Sequence, residues 1–253
     1  MSTNPIKIGP NFSDRDARTL AGSVCKARVV EPSDIYPISR QRMLDLAPTL
    51  SADQLAAPLP ATPPWVLLDG YRHLAGVCAD VLDGVMEGAG SPAWTAQQIG
   101  CRAGHSLADV CAEWAGRGPL LDAQVAAAGR AMSFVAFDTW THEQDIRAAA
   151  GLEGLRDDVA TALAGIAAAA LDGRYTSKGA PTIAIDLGMS QATMGAGDAE
   201  VSLTTTPYEL LRMIFGRRSL AQMHSAAWSG AGDVGAAIEA LHLFDLPTAD
   251  IHD

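Results

Sequence analysis

The sequence predicts a mainly α-helical protein whose helices give way, past Gly173, to a small unit of mixed helix and strand. Apolar residues recur every three to four positions in successive stretches between Asp34 and Leu171, the period of a helix with one buried face. Strand-like alternation begins only at Thr182 and returns at Glu200. The composition, 48% hydrophobic, 19% charged and 6% aromatic over 253 residues, is that of a folded, alanine-rich chain able to bury a core.

Residues 1–30 mix Pro5, Gly9, Pro10, Asp14 and Asp16 with a short apolar stretch and read as an N-terminal extension packed on the body. From Asp34, Ile35, Ile38, Met43 and Leu46 share one side of a helical projection, with Pro37 tolerated only in the first turn and Pro48 marking the end. Pro58, Pro60, Pro63 and Pro64 remove backbone donors and predict an extended connection over Ala56 to Pro64. A second helix starts near Trp65 and runs through Leu82, and Gly84 to Pro92 supplies a break. A third is capped by Ser106, runs through Val110 and Trp114 toward Gly116, and resumes after Pro119 at Leu121 and Val125. A fourth covers Ala131 to Ala149 and stops at Gly151; a fifth, Asp157 to Leu171, opens on two acids suited to a helix N-terminus. Strands over Thr182 to Leu187 and Glu200 to Thr204 follow. Three helices close the chain: one from Thr206 or Pro207 to Phe215 stopped at Gly216, a short one from Ser219 to Ala226, and one from Val234 to Leu243. The divisions are an extension at 1–30, a helical bundle over 31–174 and a small α/β domain over 175–253.

Lys plus Arg number 18 against 29 Asp plus Glu, a formal charge of -11 that opposes binding to nucleic acid or an anionic membrane. The longest weakly polar run, Ala160 to Leu171, is too short to cross a bilayer, and Met1 to Pro10 lacks the pattern of an export signal, so the expectation is a cytoplasmic protein. Cys25, Cys78, Cys101 and Cys111 show no CxxC spacing and read as buried thiols. Gly195 to Gly197 precedes a strand with no lysine at phosphate-loop spacing, so a nucleotide loop is not supported.

The residues suited to chemistry cluster in two helices. Asp138 and His142 stand four apart and share a face, and Asp145 lies three beyond. A carboxylate and an imidazole so spaced can take two places around a divalent zinc; an acid steadying a histidine with no metal meets the same spacing. His73 in the second helix is a third ligand candidate, or a hydrogen-bonded core residue. Asp69, one turn earlier, either fixes its other ring nitrogen or lies on the solvated face. His105, just before a helix start, reads as a surface or loop histidine. Arg217 or Arg218, after the stop at Gly216, could grip a substrate carboxylate in two prongs or simply be charge at a helix end.

Trp65 followed two turns later by His73, with Asp69 between, together with Asp138, His142 and Asp145, resembles the mycothiol-dependent maleylpyruvate isomerase family within the DinB-like metal-binding helical bundles. The tail Gly216-Arg217-Arg218-Ser219-Leu220-Ala221-Gln222 followed by Trp228-Ser229-Gly230 is similar as well. The resemblance implies a DinB-like four-helix bundle joined to a small α/β domain resembling sterol-carrier proteins, with His73, Asp138 and His142 holding zinc or another divalent metal and Arg217 assisting catalysis. It also implies mycothiol as the thiol cofactor. Its sulfur would bind the metal as thiolate, add to a cis-configured enone, permit rotation about the former double bond, and leave. Aspartate replaces the family's glutamate at Asp138, and being one methylene shorter it reaches a shared ion only if the helices approach more closely or the ion shifts.

The expected function is thus a metal-dependent enzyme that uses mycothiol to isomerise or conjugate a small electrophile such as a maleylpyruvate-like enone acid, acting as a monomer or dimer. A metal-dependent hydrolase with no thiol cofactor and a non-catalytic helical binding protein are the alternatives.

Overall fold

The computed structural model describes residues 30–253; the N-terminal extension and Cys25 lie outside the described residues. Four long helices form the bundle: α1 (Pro32–Leu46), α3 (Leu67–Asp83), α5 (Leu107–Ala128) and α6 (Ser133–Ala149). They pack as a ring in which α1 touches α5 and α6, and α3 touches the same two. Two short helices, α2 (Ala52–Leu55) and α4 (Pro92–Cys101), sit in the connections. The core between the helices is aromatic where space is largest: Tyr36, Tyr71, Trp114 and Trp140 are fully buried. Tyr36 accepts from the Trp114 indole at 3.1 Å and Tyr71 donates to the Met43 carbonyl at 3.0 Å, while the Trp140 indole N–H is buried without a partner.

The structure corrects several sequence expectations. Helix α5 does not break at Gly116 to Pro119; Pro119 lies on its exposed face, where water can serve the carbonyl that loses its partner. The stretch between the expected break and the helix capped by Ser106 contains α4, begun by Ser91 as cap and Pro92 in the first turn. The proline-rich connection is not simply extended: Pro58 bridges Val66, and Leu59 N–H donates to Trp65 O at 2.9 Å. That return holds Trp65 in a loop above α3, which starts two residues later than predicted. The stretch from α5 through α6, Leu107–Ala149, is also long and apolar enough by composition to cross a membrane, which Ala160 to Leu171 is not. Both helices nonetheless bury one face in the bundle, Trp114 and Leu121 on one, Trp140 and Ile146 on the other.

Helix α7 (Asp158–Lys178) is longer than predicted and runs through the expected division at residues 174 and 175. It packs on α1 and also on the small sheet. That sheet holds β1 (Ile183–Asp186), β2 (Gln191–Met194), β3 (Val201–Thr204) and β4 (Ala227–Gly230) in the order β2-β1-β3-β4. The central pair β1 and β3 is parallel, with Ile183 opposite Val201, and both edge pairs are antiparallel. Ile183, Ile185, Val201 and Leu203 face the core, the alternation the sequence shows. The edge strands β2 and β4 are not predicted because their exposed residues are polar or small, Gln191 and Thr193 on one, Ala227, Ser229 and Gly230 on the other. Helices α8 (Pro207–Ile214), α9 (Leu220–His224) and α10 (Val234–Leu241) complete the unit. The molecule is a helical bundle followed by a small mixed-sheet domain.

Candidate metal centre

Helices α3 and α6 run past each other closely because Gly70 stands opposite Ile146. A Cβ built at Gly70 would lie 2.8 Å from the Ile146 side chain. One turn along each helix, this approach brings His73 and His142 together, ring centroids 4.9 Å apart and nearly perpendicular. Asp138, one turn before His142, reaches between them. Its Oδ1 lies 3.3 Å from His73 Nε2 and 3.7 Å from His142 Nε2. Donors about 2.0 to 2.2 Å from one tetrahedral ion stand about 3.3 to 3.6 Å apart, so the short aspartate is in reach. All three residues offer ligand atoms within 4.8 Å of one another.

Each ring also has an acceptor near its Nδ1. His142 Nδ1 faces Asp145 Oδ2 at 3.3 Å, and His73 Nδ1 meets Gln98 Oε1 at 2.7 Å. In His73, a neutral ring that donates from Nδ1 to Gln98 turns the lone pair of Nε2 toward Asp138, whereas His142 Nδ1 lies near Asp145 without a well-aligned hydrogen bond. Burial works to raise the Asp138 carboxyl, but the His73 and His142 rings and Arg217 outweigh it and hold the group below its ordinary value. Burial also holds His142 below the ordinary imidazole value. His73 Nε2, His142 Nε2 and Asp138 Oδ1 therefore face one place. Asp138 Oδ2 is buried with no partner. Such a donor set fits a divalent cation.

Aromatic rings wall the site. Trp65 stacks on His142 at 5.6 Å and tilts over His73 at 5.0 Å, and Trp94 meets His73 by its edge. The histidine side chains are 2% and 8% exposed, that of Asp138 29%, so the opening to solvent lies on the carboxylate side.

The other candidates fall elsewhere. Asp69 does not touch His73: it accepts from Val66 N–H at the start of α3 and pairs with Arg72. Asp145 is drawn behind His142 by the small domain, where Arg217 Nη2 and Arg212 Nη1 each reach it at 2.8 Å. Burial raises the Asp145 carboxyl, but Arg217 first and Arg212 second pull it well below the usual range. Arg217 spends its third nitrogen on the Phe215 carbonyl at 2.6 Å, at the end of α8. Arg218 pairs with Glu209 and Asp253, and both arginines are buried rather than solvated. His105 is exposed in a loop. Gln98, Asp80, Arg212 and Asp253 are not singled out by sequence reading; only Ser91-Pro92, a helix start, points toward the helix that carries Gln98.

Comparison with solved structures finds a similar chain described as the crystal structure of the mycothiol-dependent maleylpyruvate isomerase, 12% identical, with a TM-score of 0.47, over 74% of this chain and 88% of that one. A point mutant of that isomerase matches at 11% identity and a TM-score of 0.46, over 73% and 88% of the two chains. No protein-family model and no curated protein matches the sequence.

Proposed function

We propose that this chain is a divalent-metal-dependent enzyme that uses mycothiol to isomerise or conjugate a small electrophile, for example a maleylpyruvate-like enone acid, on a DinB-like bundle with a sterol-carrier-like small domain. The observation that supports it is the convergence of His73 Nε2, His142 Nε2 and Asp138 Oδ1 beside an opening. A divalent ion held by His73, Asp138 and His142 would supply Lewis acidity and depress the pKa of a thiol or water beside it. Zinc suits three N and O donors with an open position, although nickel, iron or manganese suit the same donors.

The chain's own residues prepare the site. Trp65 covers both imidazoles and keeps water from that side. Asp138 is the member of the trio that borders the opening, with its Oδ1 turned to the two rings and its Oδ2 buried without a partner. Arg217 acts in this proposal as a positioning residue, since all three of its nitrogens are engaged within the protein and hold Asp145 behind His142. A cytoplasmic setting belongs to the same proposal, because reduced thiols are kept there.

Elemental analysis of purified protein is expected to find about one divalent ion per chain, with binding weakened in His73→Ala and His142→Ala. Wild type that takes up no ion overturns the proposal. Incubation with mycothiol and a panel of electrophiles is expected to consume thiol and to yield isomerised or thiol-adduct products by mass. Products that gain water while the thiol is untouched point instead to metal-assisted hydrolysis.

A further inference from the structure

One polar chain behind the metal centre is built with more care than packing requires. His73, Gly76 and Asp80 lie on one stripe of α3, at i, i+3 and i+7. Gln98 of α4 lies across that stripe, 2% exposed, and spans the gap left between the two polar residues. Its Oε1 is 2.7 Å from His73 Nδ1 and its Nε2 donates to Asp80 Oδ2 at 2.7 Å. The glycine makes room for this: a Cβ at Gly76 would stand 2.5 Å from Gln98 Cβ and 2.8 Å from its Cγ. No residue but glycine there lets α4 come close enough for the amide to bridge.

The bridge has one self-consistent polarity. An ionised aspartate can only accept, so the amide NH2 of Gln98 must face Asp80 and the carbonyl must face His73. A carbonyl can only accept in turn, so it draws the proton of a neutral His73 ring to Nδ1 against the competing pull of Asp138 Oδ1, 3.3 Å from Nε2, and leaves Nε2 bare for a ligand role. With a lone glutamine the amide could turn over and offer a donor to Nδ1, which would drive the proton to Nε2 and block the ligand atom.

We infer that Asp80 and Gln98 form a tautomer lock for the metal centre: Asp80 fixes the sense of the Gln98 amide, Gln98 fixes the proton of His73 on Nδ1, and Gly76 is the gap through which the lock reaches. These are positioning residues and touch neither ion nor substrate. The inference rests on the reading of His73 as a ligand for its consequence, but the ring proton itself can be observed in metal-free protein.

The experiment therefore has two readouts. Long-range 1H–15N correlation of the histidine rings in metal-free protein, above the range of imidazole titration, is expected to show His73 protonated at Nδ1 in wild type. Gln98→Leu is expected to lose that pattern and to bind zinc about 10- to 100-fold more weakly in chelator competition. Gly76→Ala, which pushes Gln98 away without touching His73, is expected to act in the same direction. The exchanged pair, Asp80→Asn with Gln98→Glu, moves the donor to α3 and keeps an acceptor facing the ring, and is expected to restore the Nδ1 proton and bring affinity to within a few-fold of wild type. Circular dichroism checks that each variant folds, and the exchanged pair decides the matter if Gln98→Leu does not. An unchanged ring pattern and zinc affinity in Gln98→Leu, or an exchanged pair that folds yet behaves like the broken lock, overturns the inference. A wild type that shows the Nδ1 proton yet binds no zinc overturns the metal reading and leaves the lock standing.

Discussion

Arg217→Met tests whether the small domain is bolted to the bundle through Asp145. The substitution keeps most of the buried stem and removes the contacts to the Asp145 carboxylate, Nη2 to Oδ2 at 2.8 Å and Nε to Oδ2 at 3.2 Å and to Oδ1 at 3.4 Å, together with that to the Phe215 carbonyl. Asp145 is 2% exposed, so water cannot replace what is lost. Breaking a buried ion pair on one side costs about 3 to 5 kcal/mol, and Arg212 still holds Asp145 from the other, which places the loss near the lower figure, about 3 kcal/mol. For a chain of this length that is about 6 °C in Tm. The sign with pH follows from the carboxyl being held well below its ordinary value: the stabilisation is full above the unfolded carboxyl range and fades as pH falls through the depressed one. The difference between wild type and variant should therefore shrink in acid. Urea unfolding at neutral pH and again near the carboxyl range, with Asp145→Asn alone and combined with Arg217→Met, gives the cycle; the combined variant should lose less than the sum of the two. An Arg217→Met protein within about 0.5 kcal/mol of wild type at neutral pH, with altered dependence on substrate concentration, would refute the bolt and make the arginine a substrate contact.

Glu143 is 1% exposed, and burial raises its carboxyl to about 7 against the counter-pull of Arg42. Ionising it costs the fold stability as pH rises from about 4.5 to 7, so Glu143→Gln should be stabilising by about 3 kcal/mol above that window and near neutral below it, read as unfolding free energy against pH. Gly154→Ala should cost about 1 to 3 kcal/mol, because its Cβ would overlap the phenol of Tyr208, which is pinned edge-on against Trp140 at 5.6 Å. Adding Tyr208→Phe should recover part of that loss in the same denaturation assay. Removing the ion with a chelator should lower the Tm of wild type and leave that of His142→Ala nearly unchanged, as binding only to the folded state requires.

Much of the helical architecture was legible because each signal is local. The apolar repeat around Ile35, Met43, Trp114 and Leu121 marks bundle faces wherever the helices are later placed, and the alternation at Ile183 and Val201 marks the two central strands. Helix α4, which starts where the break from Gly84 to Pro92 ends, was not read from the sequence although Ser91-Pro92 marks its start, and the edge strands carried too little apolar residue to show a period.

By itself the sequence determined that Asp138 and His142 share one helix face and that His73 lies on another helix, since a repeat of 3.6 residues fixes both. Only tertiary structure decided that the two faces meet at one point, because their distance depends on Gly70 giving way to Ile146 across α3 and α6. It also decided the partners of the two rings, Gln98 for His73 and Asp145 for His142, one from a short helix beside α3 and one held by arginines of another domain. The reason is general: spacing along a chain determines direction within an element, whereas a site needs distances between elements, and those are set by which side chains are small enough to let backbones approach.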